Sequence, residues 1–304
     1  MLQIKNLTQQ YTMGATALCD ISVTVKTNAL LCVLGKTEAG KTSLLKTLCG
    51  LTDIKHGEIL LNGTHINRSS LKELDIALMH ENGGFFENKT ILYNLEYPLK
   101  IRKLCPEIIR KQINYVITKF NLNDVKYFKV LRLNKIERLN LSFARLFLRN
   151  LSLILIDNPF KNFENRDELF ELYLPYIKEL TSNASVIYAT DSAYEAYKLN
   201  GDTLVLNYGI VQQYDKYENL KNNPKTLTVM NYVNPSNKIF EASIIMCDNN
   251  IFVSYNNALK EIKKDKLLND IYIGKKVIVA EVYEGTKSTL KIFDYNSERI
   301  IYFN

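Results

Sequence analysis

Eight residues, Gly35-Lys36-Thr37-Glu38-Ala39-Gly40-Lys41-Thr42, constrain this chain more than any other stretch. They match G-x-x-x-x-G-K-[ST], and the apolar run Leu30-Leu31-Cys32-Val33-Leu34 leads into them. A continuous run of that kind suits a strand buried on both faces of a sheet. A helix-like segment, Lys41–Cys49, follows and is closed by Gly50. Strand, glycine loop and helix in that order make a phosphate cradle. Its backbone N–H groups can face phosphate oxygens, Lys41 would reach the β- and γ-phosphates, and the Thr42 hydroxyl would bind Mg2+. From composition alone such a match arises roughly once per hundred chains of this length.

A phosphate loop needs an acidic partner for magnesium at the end of a buried strand. Asp157, closing the run Leu151–Ile156, fits that place. The neighbouring segments supply the rest of an α/β sheet. Helical spacing recurs over Pro106–Phe120 and Leu139–Leu148, Glu168–Leu180 reads as a helix, and Ser185–Ala189 as a third buried strand. Glu58–Leu61 with the Asn62-Gly63 turn reads as a hairpin. After Pro224 the pattern changes to short strands: Ala242–Met246, Ile251–Tyr255, Lys276–Glu281, Leu290–Phe293 and Ile300–Phe303. Only Ala258–Leu268 looks helical there, and the whole reads as a small all-β barrel or sandwich.

Composition removes several function classes. Of the 304 residues, 46% are apolar and 23% charged, so the chain has material for a real core. The longest strongly apolar runs, Ala29–Leu34 and Leu151–Ile156, are too short to span a bilayer, and Met1–Lys5 does not open a signal peptide. A cytosolic protein is expected. Five cysteines without a C-x-x-C pair argue against a disulfide framework and a zinc site, and His56, His65 and His80 are scattered. The net charge of +7 is spread along the chain without a basic block, and the tail strands show no consistent basic, aromatic-studded face. No nucleic-acid partner is expected.

The order of features resembles an ABC-transporter ATPase. Tyr11, a turn, the buried strand, the phosphate loop, Glu81–Asn94, Ala144-Arg145 and Asp157 fall in that family's sequence. The tail Leu290–Ile300 is similar to the closing segment of carbohydrate and glycerol-phosphate import ATPases, and Ile210–Leu220 to an earlier segment of that family. The resemblance implies a P-loop ABC-ATPase α/β domain over residues 1–228, with a helical subdomain at about 86–150. It further implies a C-terminal all-β OB-like (TOBE-type) domain over residues 229–304. ATP and Mg2+ are the implied ligands. Nucleotide would be held by Tyr11, Gly35, Lys36, Thr37, Glu38, Ala39, Gly40, Lys41, Thr42 and Ser43, and metal by Thr42, Asp157 and Glu81.

Several catalytic positions depart from the family pattern. Asn158 stands where the family's Glu polarises the attacking water; an amide orients water but accepts no proton. Asp191 stands at the switch histidine, where a carboxylate would repel phosphate. Glu81 replaces the Q-loop glutamine, Glu38 a loop glycine and Glu164 a loop aspartate. Leu133-Asn134-Lys135-Ile136-Glu137 occupies the L-S-G-G-Q signature and lacks both glycines. The expected protein is therefore an importer subunit that binds Mg-ATP but hydrolyses it weakly. It would pair with a second, different ATPase chain in preference to itself. Permease subunits would contact Asn82–Tyr97, with Phe85, Phe86, Tyr93 and Tyr97 as anchors, and a solute-binding protein would act indirectly. The expected location is the cytoplasmic face of the inner membrane. A non-transport nucleotide-dependent regulator, or the ATPase of an inorganic-ion or polyamine importer, stand as alternatives.

Overall fold

Runs apolar on both faces build the core of the first of two units in the protein, whose computed structural model describes residues 1–11, 14–66, 75–80, 83–234, 238–247, 250–256, 258–262, 272–284 and 287–303. The chain divides into two compact units, Met1–Ile210 and Val211–Asn304. In chain order the first carries β1 (Leu2–Gln10), β2 (Thr16–Val25), β3 (Leu30–Leu34), α1 (Lys41–Leu48), β4 (His56–Leu61), β5 (Thr64–His65) and β6 (Ile76–Met79). It continues with α2 (Ile91–Ile101), α3 (Pro106–Lys119), α4 (Lys135–Leu146), β7 (Leu153–Asp157), α5 (Arg166–Asn183), β8 (Ser185–Thr190), α6 (Ala193–Leu199) and β9 (Asp202–Asn207).

Strands β9, β3, β8, β7 and β6 lie side by side and all run parallel. Every residue of β7 and of β8 is buried, which is why Leu153–Ile156 and Val186–Ala189 read as continuous apolar runs rather than alternations. The amphipathic strands go elsewhere. β1 pairs antiparallel with β2 on one edge and with β4 on the other, and β4 turns back into β5. That last turn holds Asn62 and Gly63 at φ 52° and 84°, the double positive φ of a two-residue hairpin.

Parallel pairing sends every crossover to the same edge, so the loops after β3, β7 and β8 gather at the carboxyl ends of neighbouring strands. In open α/β sheets ligands bind at that edge. Between β6 and β7 the chain forms α2, α3 and α4, whose apolar faces are buried through Leu95, Ile113, Val116 and Phe143.

The second unit carries most of β10 (Ile210–Lys216), then α7 (Tyr217–Asn222), α8 (Leu227–Val233) and six antiparallel strands: β11 (Lys238–Cys247), β12 (Asn250–Tyr255), β13 (Ala258–Ile262), β14 (Lys276–Glu284), β15 (Lys287–Asp294) and β16 (Ile300–Phe303). Their order is β13-β12-β11-β14-β15-β16. Within this unit Leu227 and Met230 of α8 pack on Ala280, Val282 and Phe293. The buried Lys291 also sends its ammonium to the Asn222 carbonyl, 3.0 Å away.

The helix expected over Ala258–Leu268 is corrected where the structure describes it. Ala258–Ile262 is strand β13, paired with β12 from Tyr255↔Ala258 to Ile251↔Ile262. Over five residues the spacing of Ala258, Leu259 and Ile262 fits either element, and pairing decides: Ile262 is buried in the sheet's core while Leu259 faces solvent. Residues 263–268 lie outside the described residues.

Candidate functional site

The loop between β3 and α1 closes on itself around two glycines. A Cβ on Gly35 would meet the Leu206 carbonyl oxygen at 2.6 Å and the Ala39 Cβ at 2.7 Å, so only glycine fits. Gly40 sits at φ 98°, and a Cβ there would meet the Ala17 carbonyl oxygen at 2.9 Å. Helix α1 begins without a side-chain cap and without an acidic residue in its first turn. Its first N–H groups are thus left for an anion from outside the chain, with the helix dipole favouring negative charge. Glu38 holds the loop's other positive φ, 66°, a conformation that costs a non-glycine residue about 1–2 kcal/mol.

Lys41 is buried, and its ammonium donates to the carbonyls of Gly35 (2.5 Å) and Lys36 (2.8 Å). An ammonium has three donors, so one remains for a phosphate oxygen. Burial lowers the Lys41 pKa, opposed by Asp191 and Asp157 and abetted by Lys161 and Arg166. Thr42 donates its hydroxyl to Asp157 Oδ2 at 2.8 Å across the sheet edge. Adjacent ligands of an octahedral Mg2+ stand about 2.9 Å apart, so this hydroxyl–carboxylate pair is already spaced for one hard cation. Among the described residues no three His, Cys, Asp or Glu side chains converge to hold a metal without further oxygens. Glu81 and Asn82 lie outside the described residues.

A cleft of about 360 Å³ opens along the loop, lined by Thr37–Ser43 together with Tyr11, Asn158, Lys161 and Tyr208. Tyr11 is half exposed and its hydroxyl is 2.7 Å from Ser43 Oγ. The structure thus brings Tyr11, Asn158, Asp157 and the phosphate loop together.

The catalytic departures take a shape the sequence did not reveal. Asn158 adopts φ 46°, which asparagine tolerates, and its Oδ1 accepts the Asp191 N–H at 3.2 Å. Asp191 is no bare carboxylate against phosphate. Its Oδ1 accepts from the Arg166 guanidinium at 2.6 Å, which corrects the expected repulsion. The same guanidinium donates to Glu195 (2.6 Å) and to Thr190 Oγ1 (2.9 Å). Glu195 is fully buried and also accepts from Tyr188 (2.9 Å) and Thr190 (2.6 Å). Burial acts to lower the Arg166 pKa, but the bonds and charges of Glu195 and Asp191 outweigh it and hold the guanidinium above its ordinary value. Burial, then the Glu195 charge, pushes the Tyr188 phenol well up.

At the signature position, Asn134 caps α4. Its Oδ1 accepts the Glu137 N–H and the Glu137 carboxylate accepts the Asn134 N–H, each at 2.9 Å. This capping box satisfies the helix's own first donors. Glu164 is exposed. In the segment expected to meet a permease, Phe86, Tyr93 and Tyr97 form an exposed ring cluster with centroids 4.8–5.8 Å apart. Phe85 instead lies beneath the guanidinium groups of Arg138 and Arg145, at 5.7 and 5.4 Å, and so contributes less free surface than expected. Sequence reasoning missed Arg166, Glu195 and Lys161. Only Lys161 carried a signal, as a cation four residues past Asp157.

Residues 18–161 match an ABC transporter domain. The span that the family model matches holds the phosphate loop, Asp157 and Asn158. Its relatives include the spermidine/putrescine import ATP-binding protein PotA of Borrelia garinii, 26% identical over 80% of this chain and 70% of that protein. The sn-glycerol-3-phosphate import ATP-binding protein UgpC of Bartonella bacilliformis is 27% identical over 76% of this chain and 67% of its own length. The trehalose import ATP-binding protein SugC of Mycobacterium tuberculosis is 25% identical over 79% and 62%. The fold is shared with the solved ATP-binding subunit of an ABC transporter at TM-score 0.64 and 18% identity, covering 73% of this chain and 92% of that one. It is also shared with a dimeric ATP-binding cassette bound to ADP and Pi, at TM-score 0.62 and 21% identity, covering 71% and 98%. Among the described residues, no helix is long and apolar enough to cross a membrane.

Proposed function

We propose that the chain is the ATP-binding subunit of an ABC importer for a sugar, polyol, glycerol-phosphate-like or polyamine solute. It binds Mg-ATP, hydrolyses it weakly at its own site, and pairs with a second, different ATPase chain. The observation that carries the binding half is the Thr42–Asp157 pair at 2.8 Å beside an uncapped helix and a buried lysine with one donor to spare. Thr42 and Asp157 would hold Mg2+, which supplies charge neutralisation at the phosphates. Lys41 and the loop N–H groups would bind and orient the phosphate chain, and Tyr11 would pack against the base. Relatives named as import ATP-binding proteins support the importer half.

Weak hydrolysis follows from Asn158. Its amide takes no proton, and its oxygen is engaged by the Asp191 N–H. The capped start of α4 supports pairing with an intact second chain, since a self-paired dimer would carry two weakened sites. We assign residues 1–228 to the ATPase domain and 229–304 to an OB-like regulatory domain of the TOBE type. Phe86, Tyr93 and Tyr97 would anchor the permease, as exposed aromatic clusters do at interfaces. The complex would sit on the cytoplasmic face of the inner membrane, with a solute-binding protein acting on the far side.

Two measurements test this. Mg-ATP should bind the purified chain saturably, and Lys41→Ala should weaken binding about 10- to 200-fold, the worth of charge-assisted bonds of about 1.5–3 kcal/mol. No binding by the wild-type chain would sink the reading. Copurification from native membranes should recover permease subunits, and Phe86→Ala/Tyr93→Ala should lose them while keeping ATP affinity. A chain found only as a free monomer in cell extracts would overturn the importer half.

A further inference from the structure

We propose that Lys161 is a nucleotide-binding residue of this chain that recognises the terminal phosphate, making the site prefer nucleoside triphosphate over diphosphate. This rests on the nucleotide-binding reading above.

Lys161 sits in the turn that follows Asp157 and Asn158, with its N–H donating to the Asn158 carbonyl at 3.3 Å. That turn brings its side chain to the wall of the phosphate-loop cleft, facing Thr37–Ser43. Of the cations near this edge, Lys41 is held by its own loop and Arg166 is consumed by Asp191, Glu195 and Thr190. Lys161 has no side-chain hydrogen bond or ion pair among the described residues, and it is exposed to the cleft's solvent. Its charge also reaches Lys41, whose ammonium it disfavours. An uncompensated cation at the wall of a phosphate site attracts whatever anion enters.

The position along the nucleotide follows from the neighbours. Lys161 belongs to the side of the cleft built by Asp157 and Asn158, where Thr42 and Asp157 are spaced for the metal. Thr42 and Asp157 would hold a Mg2+ that neutralises the outer phosphates, so a cation on that side would meet the phosphate that triphosphate has and diphosphate lacks. With Asp191 occupied by Arg166 at the switch position, Lys161 supplies the positive charge that the position no longer offers.

The test is binding. Dissociation constants for Mg-ADP and for a slowly hydrolysed Mg-ATP analogue are measured by calorimetry on wild type, Lys161→Ala and Lys161→Arg. The expected result is that Lys161→Ala weakens the triphosphate about tenfold, the low end for a charged hydrogen bond at an exposed site, with the diphosphate changed less than about twofold. Lys161→Arg should retain the preference. Equal weakening of both nucleotides, or no change in either, overturns this inference alone. Failure of the wild-type chain to bind either nucleotide overturns it together with the reading it rests on. Because Lys161 is exposed, the melting temperature should be unchanged, and a folded, insensitive variant would count directly against the proposal.

Discussion

Asn158→Glu is expected to raise ATP turnover by this chain about 10²–10⁴-fold, the usual worth of a positioned general base. The site around it is otherwise complete on the binding side, with Lys41, Thr42 and Asp157 in place. What Asn158 lacks is a group able to accept the proton of an attacking water. The matched control is Asn158→Gln, which keeps an amide on the same longer stem and should gain nothing. Both variants forfeit the bond from the Asp191 N–H and place a longer side chain at φ 46°, so any shared loss of stability cancels in their comparison. Single-turnover measurement with protein in excess separates chemistry from product release. Robust turnover by the wild-type chain, abolished by Lys41→Ala, would falsify weak hydrolysis. A glutamate variant no faster than the glutamine variant would show that the base is not the missing part.

Arg166→Ala is expected to cost about 3–5 kcal/mol of stability, because it strands a buried charge. Glu195 is fully buried, and of its carboxylate's three partners among the described residues only Arg166 carries positive charge. Removing the guanidinium also frees Asp191 to face the phosphate site unneutralised. Two further variants separate those effects. Arg166→Lys keeps the charge but cannot fork to Asp191, Glu195 and Thr190 at once, and should lose part of the stability. The double variant Arg166→Met/Glu195→Gln removes the buried charges while keeping an acceptor for the Tyr188 and Thr190 hydroxyls, and should recover most of it. Urea midpoints on all four chains decide the matter. A single variant within about 1 kcal/mol of wild type, or a double no better than the single, would show that the pair does not hold this edge together.

The two predictions concern residues of very different visibility in the sequence. The phosphate loop announces itself because its chemistry is local: eight consecutive residues must be what they are for backbone to wrap a phosphate. Asp157 is nearly as legible, since it closes a run apolar on both faces. Asn158 and Asp191 needed the family resemblance to be noticed at all, because their meaning lies in what they replace. Arg166 and Glu195 stayed hidden. They are 29 residues apart, on α5 and α6, and a charged pair on two helices reads from sequence as two solvated faces. Only packing shows that Glu195 is buried and that Arg166 must follow it. The segment Ala258–Ile262 failed for another reason: five residues are too few for period 2 and period 3.6 to diverge, so the strand was chosen by its neighbour β12.

The order of the parallel sheet has a consequence for how the chain comes off the ribosome. Among the described residues of the first unit, strand β3 has only β8 and β9 as sheet partners, and its nearest register partner in sequence is Val186 for Leu30. At synthesis rates of about 5–20 residues per second, that apolar strand waits on the order of 10 s before its first ladder bond can form. Meanwhile the segment that will wrap phosphate is preceded by five residues with an unpaired edge, exposed to any other chain that offers one. The β1–β2 hairpin and the β4–β5 turn, made entirely from the first 65 residues, are the structure available early enough to shelter it.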